Sequence, residues 1–408
     1  MTGAADIGVV PLDQRTQSPR DLFLIFAGAN IVATTLVTGA SLASFGTLAS
    51  FGVIAVGTIV GSALVASLAP IGPRLGVPSV IAARAALGPG GAAGLAALLY
   101  VTNFAWIALN NVIAGSVCAR VAGGDERIWG LLLGLAATAV VAAGPRAVLR
   151  ADRVAVPLMA ASGVVLLWRC LQVPDPIRPT SPTSGFALLR GLDVVVAYQV
   201  SWILMFADYS RYTASASRGA IAVFLGLALT SLWFMPVGLI AAQAAGTGDP
   251  GTMLAALGVA AWGAILVALG TVTTNFVNIY LSALAWRSLV PRASAAATVW
   301  SIGGVGAVLG LFSRAWLDRY ADLMLVLGGL LVPVGGILLA RFFWVRVPVD
   351  VRALFDAADG ASGALVRAAA VAWIAGAAAY FGAGSYGGTL PSLVVAAVSY
   401  RLLAPAPP

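Results

Sequence analysis

The amino-acid sequence predicts an all-α polytopic membrane protein, and three observations support this fold class. Sixty per cent of the residues are hydrophobic and only 9% are charged, whereas an ordinary soluble domain carries about 25% charged residues. Apolar stretches of membrane-spanning length recur along the whole chain. A Pro-rich segment divides these stretches into two groups, which suggests two repeats of five spans each with inverted topology.

Twelve apolar stretches approach or exceed the roughly 20 residues that a transmembrane helix needs. They lie at residues 21–43, 51–71, 92–121, 128–145, 153–171, 186–206, 219–245, 257–287, 294–313, 320–345, 364–382 and 388–404. We expect an N-terminal tail, a first repeat, a Pro-rich external loop, a second repeat, and two peripheral helices with a short C-terminal tail. These parts correspond to residues 1–20, 21–171, 172–185, 186–345 and 346–408.

The basic residues predict the orientation of the chain. There are 23 arginines and no lysines, against 15 acidic residues. Placing both termini in the cytoplasm assigns sixteen arginines to inside segments and seven to outside loops, in agreement with the positive-inside rule. Because the arginines are scattered between apolar spans rather than clustered, we do not expect the chain to bind nucleic acid. We expect a monomer in the lipid bilayer of the inner (plasma) membrane.

The sequence offers no sign of a cofactor or of a catalytic centre. Its two cysteines, Cys118 and Cys170, lack the spacing of a metal site, and the absence of histidine excludes an imidazole ligand. Neither a His-Glu-x-x-His nor a Gly-x-Ser-x-Gly motif is present. We therefore do not expect an enzyme.

The first and sixth spans carry polar side chains at mid-membrane depth, where such groups are costly. In span one the run from Asn30 to Gly39 contains three threonines, which suggests an interrupted helix whose freed carbonyls line a cavity. The alternative is that the threonine hydroxyls bond back to their own helix. Span six, its partner in an inverted repeat, carries Tyr198, Gln199, Ser201 and Trp202. Because both members of the pair are polar in mid-span, they point to a binding site at the repeat interface.

The third span places Trp106 and Asn110 on one helix face, because they are four residues apart. An indole face can stack on a flat heterocycle, and an amide beside it can both donate and accept hydrogen bonds. The alternative is an indole that packs between helices and an amide that bonds a neighbouring helix.

The eighth span contains the most polar intramembrane run of the chain, from Thr271 to Tyr280. Asn275 and Asn278 are three residues apart and share a face. Thr273 and Thr274 offer adjacent hydroxyl oxygens, and such ligands together with helix carbonyls would suit Na⁺. The alternative is that these groups only join helices.

Acidic residues are scarce in the spans. Asp193 lies early in span six, and the sequence does not indicate its role. Asp322 begins span ten, and Asp208 follows span six with Arg211 three residues later. We expect Asp208 and Arg211 to form a structural pair at a helix end. Because none of these carboxyls lies clearly at mid-membrane and no histidine can relay protons, Na⁺ is favoured over H⁺ as the coupling ion.

Five motifs make the chain resemble the nucleobase:cation symporter family 1, which includes cytosine, purine and hydroxymethylpyrimidine permeases. They are Thr35-Leu36-Val37-Thr38-Gly39, the run from Gly76 to Gly88, Trp106 with Asn110, Asp208-Tyr209-Ser210-Arg211-Tyr212, and the run from Thr273 to Tyr280. The resemblance covers most of the chain in order. It implies a five-plus-five inverted-repeat transporter core with discontinuous helices 1 and 6 and two peripheral helices. Such a transporter imports a planar base with a cation by alternating access.

The resemblance also implies a set of binding residues. Those that would hold the base are Trp106, Asn110, Gln199, Trp202, Asn275 and Asn278. Those that would bind the cation are Ala27 and Asn30, through their carbonyls, and Thr273 and Thr274, through their hydroxyls. Asn110 stands where relatives often have Gln, so the exact base stays open, as does the choice of Na⁺ or H⁺. An amino-acid or other small-solute transporter of the same fold is the alternative function.

Overall fold

The computed structural model describes residues 6–174, 184–312, 320–345, 347–356, 362–384 and 386–405. Every regular element within these ranges is helical, which confirms the predicted all-α class. Most of the predicted Pro-rich loop, residues 175–183, lies outside the described residues, and so does the side chain of Asp322.

The helices are numbered here in chain order. Those of the first half are α1 (Pro19–Asn30), α2 (Ala33–Ala40), α3 (Thr47–Leu68), α4 (Ile71–Leu75), α5 (Ser79–Ala82), α6 (Arg84–Ala122), α7 (Glu126–Ala142) and α8 (Pro145–Cys170). Those of the second half are α9 (Gly185–Val200), α10 (Ala216–Ala245), α11 (Pro250–Ala256), α12 (Ala260–Leu289), α13 (Ala295–Leu309), α14 (Tyr320–Leu339), α15 (Gly363–Gly382) and α16 (Thr389–Leu403).

The helices lie where the twelve apolar stretches predicted them. Within the described ranges, nine helices are individually long and apolar enough to cross a membrane, and α1 with α2, bent by 60°, forms a tenth crossing. The other two predicted spans are α7 and α16, with 17 and 15 residues. At about 1.5 Å per residue these two are shorter than the ~30 Å hydrocarbon core, so a crossing there includes their flanking residues.

The break between α1 and α2 is stabilised by side chains. Asn30 ends α1, and its Nδ2 donates to the hydroxyls of Thr230 and Ser231 on α10, each at 2.7 Å. The Thr35 hydroxyl donates to the Asn30 carbonyl that the break has freed. The Thr35 hydroxyl thus satisfies one freed carbonyl and the Asn30 side chain anchors the break to α10, so the interruption is tolerated inside the bundle.

Span six is also discontinuous, as predicted. Helix α9 ends at Val200, and the chain continues through two short 3₁₀ turns at Ile203–Met205 and Ser210–Tyr212 before α10 begins. The two broken spans therefore both place irregular backbone in the interior of the bundle.

Two glycines bring α2 and α10 into backbone contact. A Cβ on Gly39 would lie 1.9 Å from the Met235 carbonyl oxygen, and a Cβ on Gly238 would lie 2.1 Å from the Leu36 carbonyl oxygen. Because no larger residue fits at either point, this crossing fixes α2 after the break.

One face of the bundle, here called the N-terminal face, is covered by residues 6–18. The Val10 amide donates to the Gly76 carbonyl at 2.8 Å, and the Gln17 amide donates to the Tyr212 carbonyl at 2.9 Å. Arg15 is buried and donates to the Val10 carbonyl at 3.0 Å and to the Pro73 carbonyl. The segment thus joins the turn after α4 to the turn after span six.

Asp193 has a structural role that the sequence left open. Its carboxylate accepts a hydrogen bond at 2.8 Å from the amide of Thr389, the first residue of α16. Gly387, at φ +102°, allows this approach, because a Cβ there would lie 2.5 Å from the Asp193 Cβ. Asp193 therefore caps α16 from α9, which satisfies a helix-terminal donor.

Candidate functional site

A cavity of about 90 Å³ lies inside the bundle. It is bordered by the two broken spans, one and six, and by helices α6 and α12. This volume is several times what one water molecule needs. Its polar lining consists of Thr34, Thr102, Asn103, Trp106, Asn110, Tyr198, Ser201, Trp202, Asp208, Thr274 and Asn278. Leucines and other apolar side chains form the rest of the wall.

The structure brings four of the six predicted base-binding residues to this wall. Trp106 and Asn110 reach it from α6, Trp202 from the turn after α9, and Asn278 from α12. Both indoles are half-buried, and both amides are buried. The four side chains therefore surround one space, as a stacking and edge-reading site requires.

Gln199 does not line the cavity. Its side chain is fully buried, and its Nε2 donates to the Ser231 hydroxyl of α10 at 2.6 Å. Gly61 of α3 is the reason that this orientation is available, because a Cβ there would lie 2.5 Å from the Gln199 Cβ. Ser231 also accepts from Asn30, so Gln199 and Asn30 meet on one hydroxyl behind the two helix breaks.

Asn275 also lies behind the wall, in a chain of three amides. Its Oδ1 accepts from the Asn110 Nδ2 at 3.4 Å, and its Nδ2 donates to the Asn111 Oδ1 at 2.8 Å. Asn275 is fully buried. It therefore orients Asn110, which does line the cavity. Asn111 was missed from the sequence, although its position next to Asn110 was visible.

Three hydrogen-bond donors of the wall residues have no partner among the described residues. They are the Trp202 Nε1, the Asn278 Nδ2 and the Asn103 Nδ2, all buried. An indole N–H can only donate, and a buried donor without an acceptor is costly. The arrangement therefore suits a ligand that carries hydrogen-bond acceptors. Asn103 was not among the predicted residues; its amide within the third span was the available signal.

The two predicted threonine ligands lie against α1, but they contact the carbonyls between Ala27 and Asn30 rather than those of Ala27 and Asn30. The Thr273 hydroxyl donates to the Gly28 carbonyl at 2.8 Å, and the Thr274 hydroxyl donates to the Ala29 carbonyl at 3.0 Å. The Ala27 carbonyl accepts from the Ile31 amide instead. Four oxygens of α1 and α12 are thus adjacent at the helix break, a donor set that suits a hard cation.

Asp208 and Arg211 do not form the predicted pair in the part of the chain that the structure describes. The Asp208 carboxylate accepts from the Ser79 amide at 3.0 Å. Arg211 is fully buried and donates to the carbonyls of Asp6 at 2.6 Å and Gly8 at 3.3 Å. Asp208 lies between the two 3₁₀ turns and Arg211 lies within the second. Their side chains are held by different partners, the start of α5 for Asp208 and the N-terminal segment for Arg211.

The Asp208 carboxyl lies beyond Met205, where span six ends. Burial raises its pKa from 3.8 to about 6, although hydrogen bonds from Ser79 and the charge of Arg211 act in the opposite direction. Ser79 also accepts, through its hydroxyl, from the Ala207 amide at 2.9 Å. The carboxyl therefore ties the start of α5 to the turn after span six.

Comparison with known proteins agrees with this geometry. The model of a family described as permease for cytosine/purines, uracil, thiamine, allantoin matches residues 9–402. The putative purine-cytosine permease YxlA of Bacillus subtilis (strain 168) is 23% identical over 377 residues, which covers 86% of this chain and 81% of that protein.

Solved structures show the same fold. Mhp1, a nucleobase-cation-symport-1 family transporter, in a closed conformation with bromovinylhydantoin bound, matches with a TM-score of 0.81 at 16% identity, over 97% of this chain and 94% of that one. A Na⁺-coupled sialic acid symporter matches with a TM-score of 0.66 at 14% identity, over 97% and 92%. The chain is a membrane transporter and belongs to the family of permeases for cytosine and purines, uracil, thiamine and allantoin.

Proposed function

We propose that this permease imports a nucleobase or a related pyrimidine, of the cytosine, purine or hydroxymethylpyrimidine class, together with a cation by alternating access. The observation that carries the proposal is the wall of the cavity. Two indoles and three amides face one space, and three of their N–H groups have no hydrogen-bond acceptor among the described residues. A flat ring with polar edges satisfies both features.

In this proposal the residues divide into two groups. Trp106 and Trp202 contact the ring faces, and Asn110 and Asn278 read its hydrogen-bonding edge. Gln199 and Asn275 support the site from behind, because they are fully buried and hydrogen-bonded to other helices.

The charge of the wall favours a base over an amino acid. Asp208 is the one charged residue among those that line the cavity, and its carboxylate is already engaged by the Ser79 amide. An amino acid brings a carboxylate and an ammonium group, and burying either without a partner is costly. An uncharged heterocycle has no such requirement.

For the coupling ion we propose Na⁺ rather than H⁺. The ion would bind at the break of span one, where Ala27 and Asn30 contribute carbonyls and Thr273 and Thr274 contribute hydroxyls. The neighbouring Gly28 and Ala29 carbonyls, which contact the two threonines, support this location. Binding there would link the ion to the broken helix that also borders the cavity.

The organisation of the chain in the membrane completes the proposal. We place both termini in the cytoplasm, so the N-terminal face is the cytoplasmic face of a monomer in the plasma membrane. Residues 21–171 and 186–345 would form the two repeats, and residues 346–408 would hold the peripheral helices. The last two helices, α15 and α16, pack mainly on each other and on α14, which supports treating them as one unit beside the second repeat.

An uptake screen in proteoliposomes tests the proposal. The compounds are cytosine, uracil, purines, hydroxymethylpyrimidine, hydantoins and a panel of amino acids, each with a Na⁺ gradient, with a pH gradient, and with neither. We expect accumulation of at least one base that depends on the Na⁺ gradient. Accumulation driven only by a pH gradient would refute Na⁺ coupling, and uptake of amino acids without any base would refute the substrate class.

A further inference from the structure

A buried carboxyl group that the sequence did not single out lies in α8. Asp152 is 3% exposed and belongs to the membrane span Arg146–Cys170. Within the described ranges its carboxylate has no hydrogen bond and no ion pair. The adjacent Arg153 does not compensate it, because the guanidinium of Arg153 pairs with Asp21 at 2.8 Å.

Asp152 faces the helix break of span one. A Cβ on Gly28 would lie 3.1 Å from an Asp152 carboxylate oxygen and 3.2 Å from Val156 of the same helix. The carbonyl of the same glycine accepts the Thr273 hydroxyl of α12 at 2.8 Å. Three helices, α1, α8 and α12, therefore meet at Gly28 with a carboxylate, a carbonyl and a hydroxyl.

An ionised carboxylate in such a position is strongly disfavoured unless a cation compensates it. Within the described residues, Tyr209 from the turn after span six interacts electrostatically with Asp152, and a tyrosine brings no positive charge. An uncharged ring in the cavity brings no positive charge either.

We propose that the Asp152 carboxylate is the anionic ligand of a Na⁺ site shared by α1, α8 and α12, with the Gly28 carbonyl and the Thr273 hydroxyl. This inference rests on the proposed cation coupling and adds a charged ligand to a donor set that was otherwise neutral. A carboxylate raises the affinity of an oxygen site for a hard cation. The ion would in turn neutralise the buried charge, which ties occupancy of the site to packing of α8 against the broken helix.

Thermal unfolding of the full-length protein in detergent tests the site. Tm is measured over a series of NaCl concentrations, with choline chloride holding the ionic strength constant. We expect Na⁺ to raise the Tm of the wild type, because a ligand that binds only the folded state stabilises it. Asp152→Asn should have a Tm without Na⁺ at or above that of the wild type, and should need at least about tenfold more Na⁺ for its half-maximal shift.

Two controls isolate the effect. Asp193→Asn changes another carboxyl within a span, one that caps α16, and should lower Tm without moving the Na⁺ midpoint. Thr274→Ala removes a proposed ligand and should raise that midpoint. If Asp152→Asn does not yield folded protein, Gly28→Ala keeps the carboxylate but wedges it away from α1, and it should raise the midpoint as well.

The outcomes separate this inference from the proposed function. If Na⁺ raises the Tm of Asp152→Asn or Gly28→Ala with the same midpoint concentration as in the wild type, the role of Asp152 is overturned. Na⁺ coupling would remain intact. A wild type whose Tm ignores Na⁺ would overturn both.

Discussion

At the scale of single residues, Asn278 and Asn275 lie less than one turn apart on α12 but face different surroundings. Asn278 lines the cavity and has an Nδ2 without a partner among the described residues. Asn275 is bonded to the amides of Asn110 and Asn111. Because the second arrangement is closed within the protein, the two asparagines should respond differently to truncation.

We predict that Asn278→Ala weakens binding of the transported base by about 1–3 kcal/mol, or roughly five-fold to over a hundred-fold, with little change in Tm. Asn275→Ala should lower Tm, because it leaves the Asn110 and Asn111 amides unpaired in the interior. Calorimetric titration with the base and thermal unfolding of each variant measure the two effects. The opposite assignment of affinity and stability would show that Asn275 is the residue in contact with substrate.

Some features of individual residues could be predicted from the sequence, and others depend on contacts between helices. The polar residues of span one predicted its helix break, because polar groups at that depth need a structural reason, whereas the break of span six was expected from the family resemblance. The direction of Gln199 could not be predicted, since it depends on the close approach of α3 at Gly61. Asp152 was overlooked because the predicted fifth span began at residue 153, whereas α8 begins at Pro145.

At the scale of helices, the crossing of α2 and α10 determines where the second half of span one lies. Gly39 and Gly238 each meet the backbone of the other helix, so the separation of the helices at this point is set by the absence of side chains. The sequence contains 47 glycines, but it does not show which helices they bring together.

We predict that Gly39→Ala destabilises the protein by about 1–3 kcal/mol or more, because its Cβ cannot fit without a backbone shift. The matched control is Gly52→Ala on α3, where a Cβ meets nothing within 4 Å. That control should be neutral or stabilising by up to about 1 kcal/mol, given the higher helix propensity of alanine. Thermal unfolding compares the two variants, and equal Tm values would refute the close crossing.

At the scale of the whole molecule, the N-terminal face connects the two halves of the chain. Residues 6–17 bond to the turn after α4 and to the turn after span six. Arg211 adds the third partner, because it also donates to the Tyr280 hydroxyl of α12 at 3.2 Å. A transporter that alternates access must separate some of these contacts when the cavity opens on this face.

We predict that Arg211→Lys loosens this face, because an ammonium group cannot reproduce the forked contacts of a guanidinium. Arg15, which is 8% exposed and bonded through its own guanidinium, should then become accessible to trypsin. The rate of cleavage after Arg15, followed by mass spectrometry, should rise several-fold. The reason is that a segment with fewer contacts opens locally at a lower free-energy cost and is then exposed to the protease. Arg127→Lys, an exposed arginine at the start of α7, should leave that rate unchanged. Equal cleavage rates in the wild type and Arg211→Lys would mean that residues 6–17 are held without Arg211, by the Val10 and Gln17 backbone contacts and the Arg15 side chain.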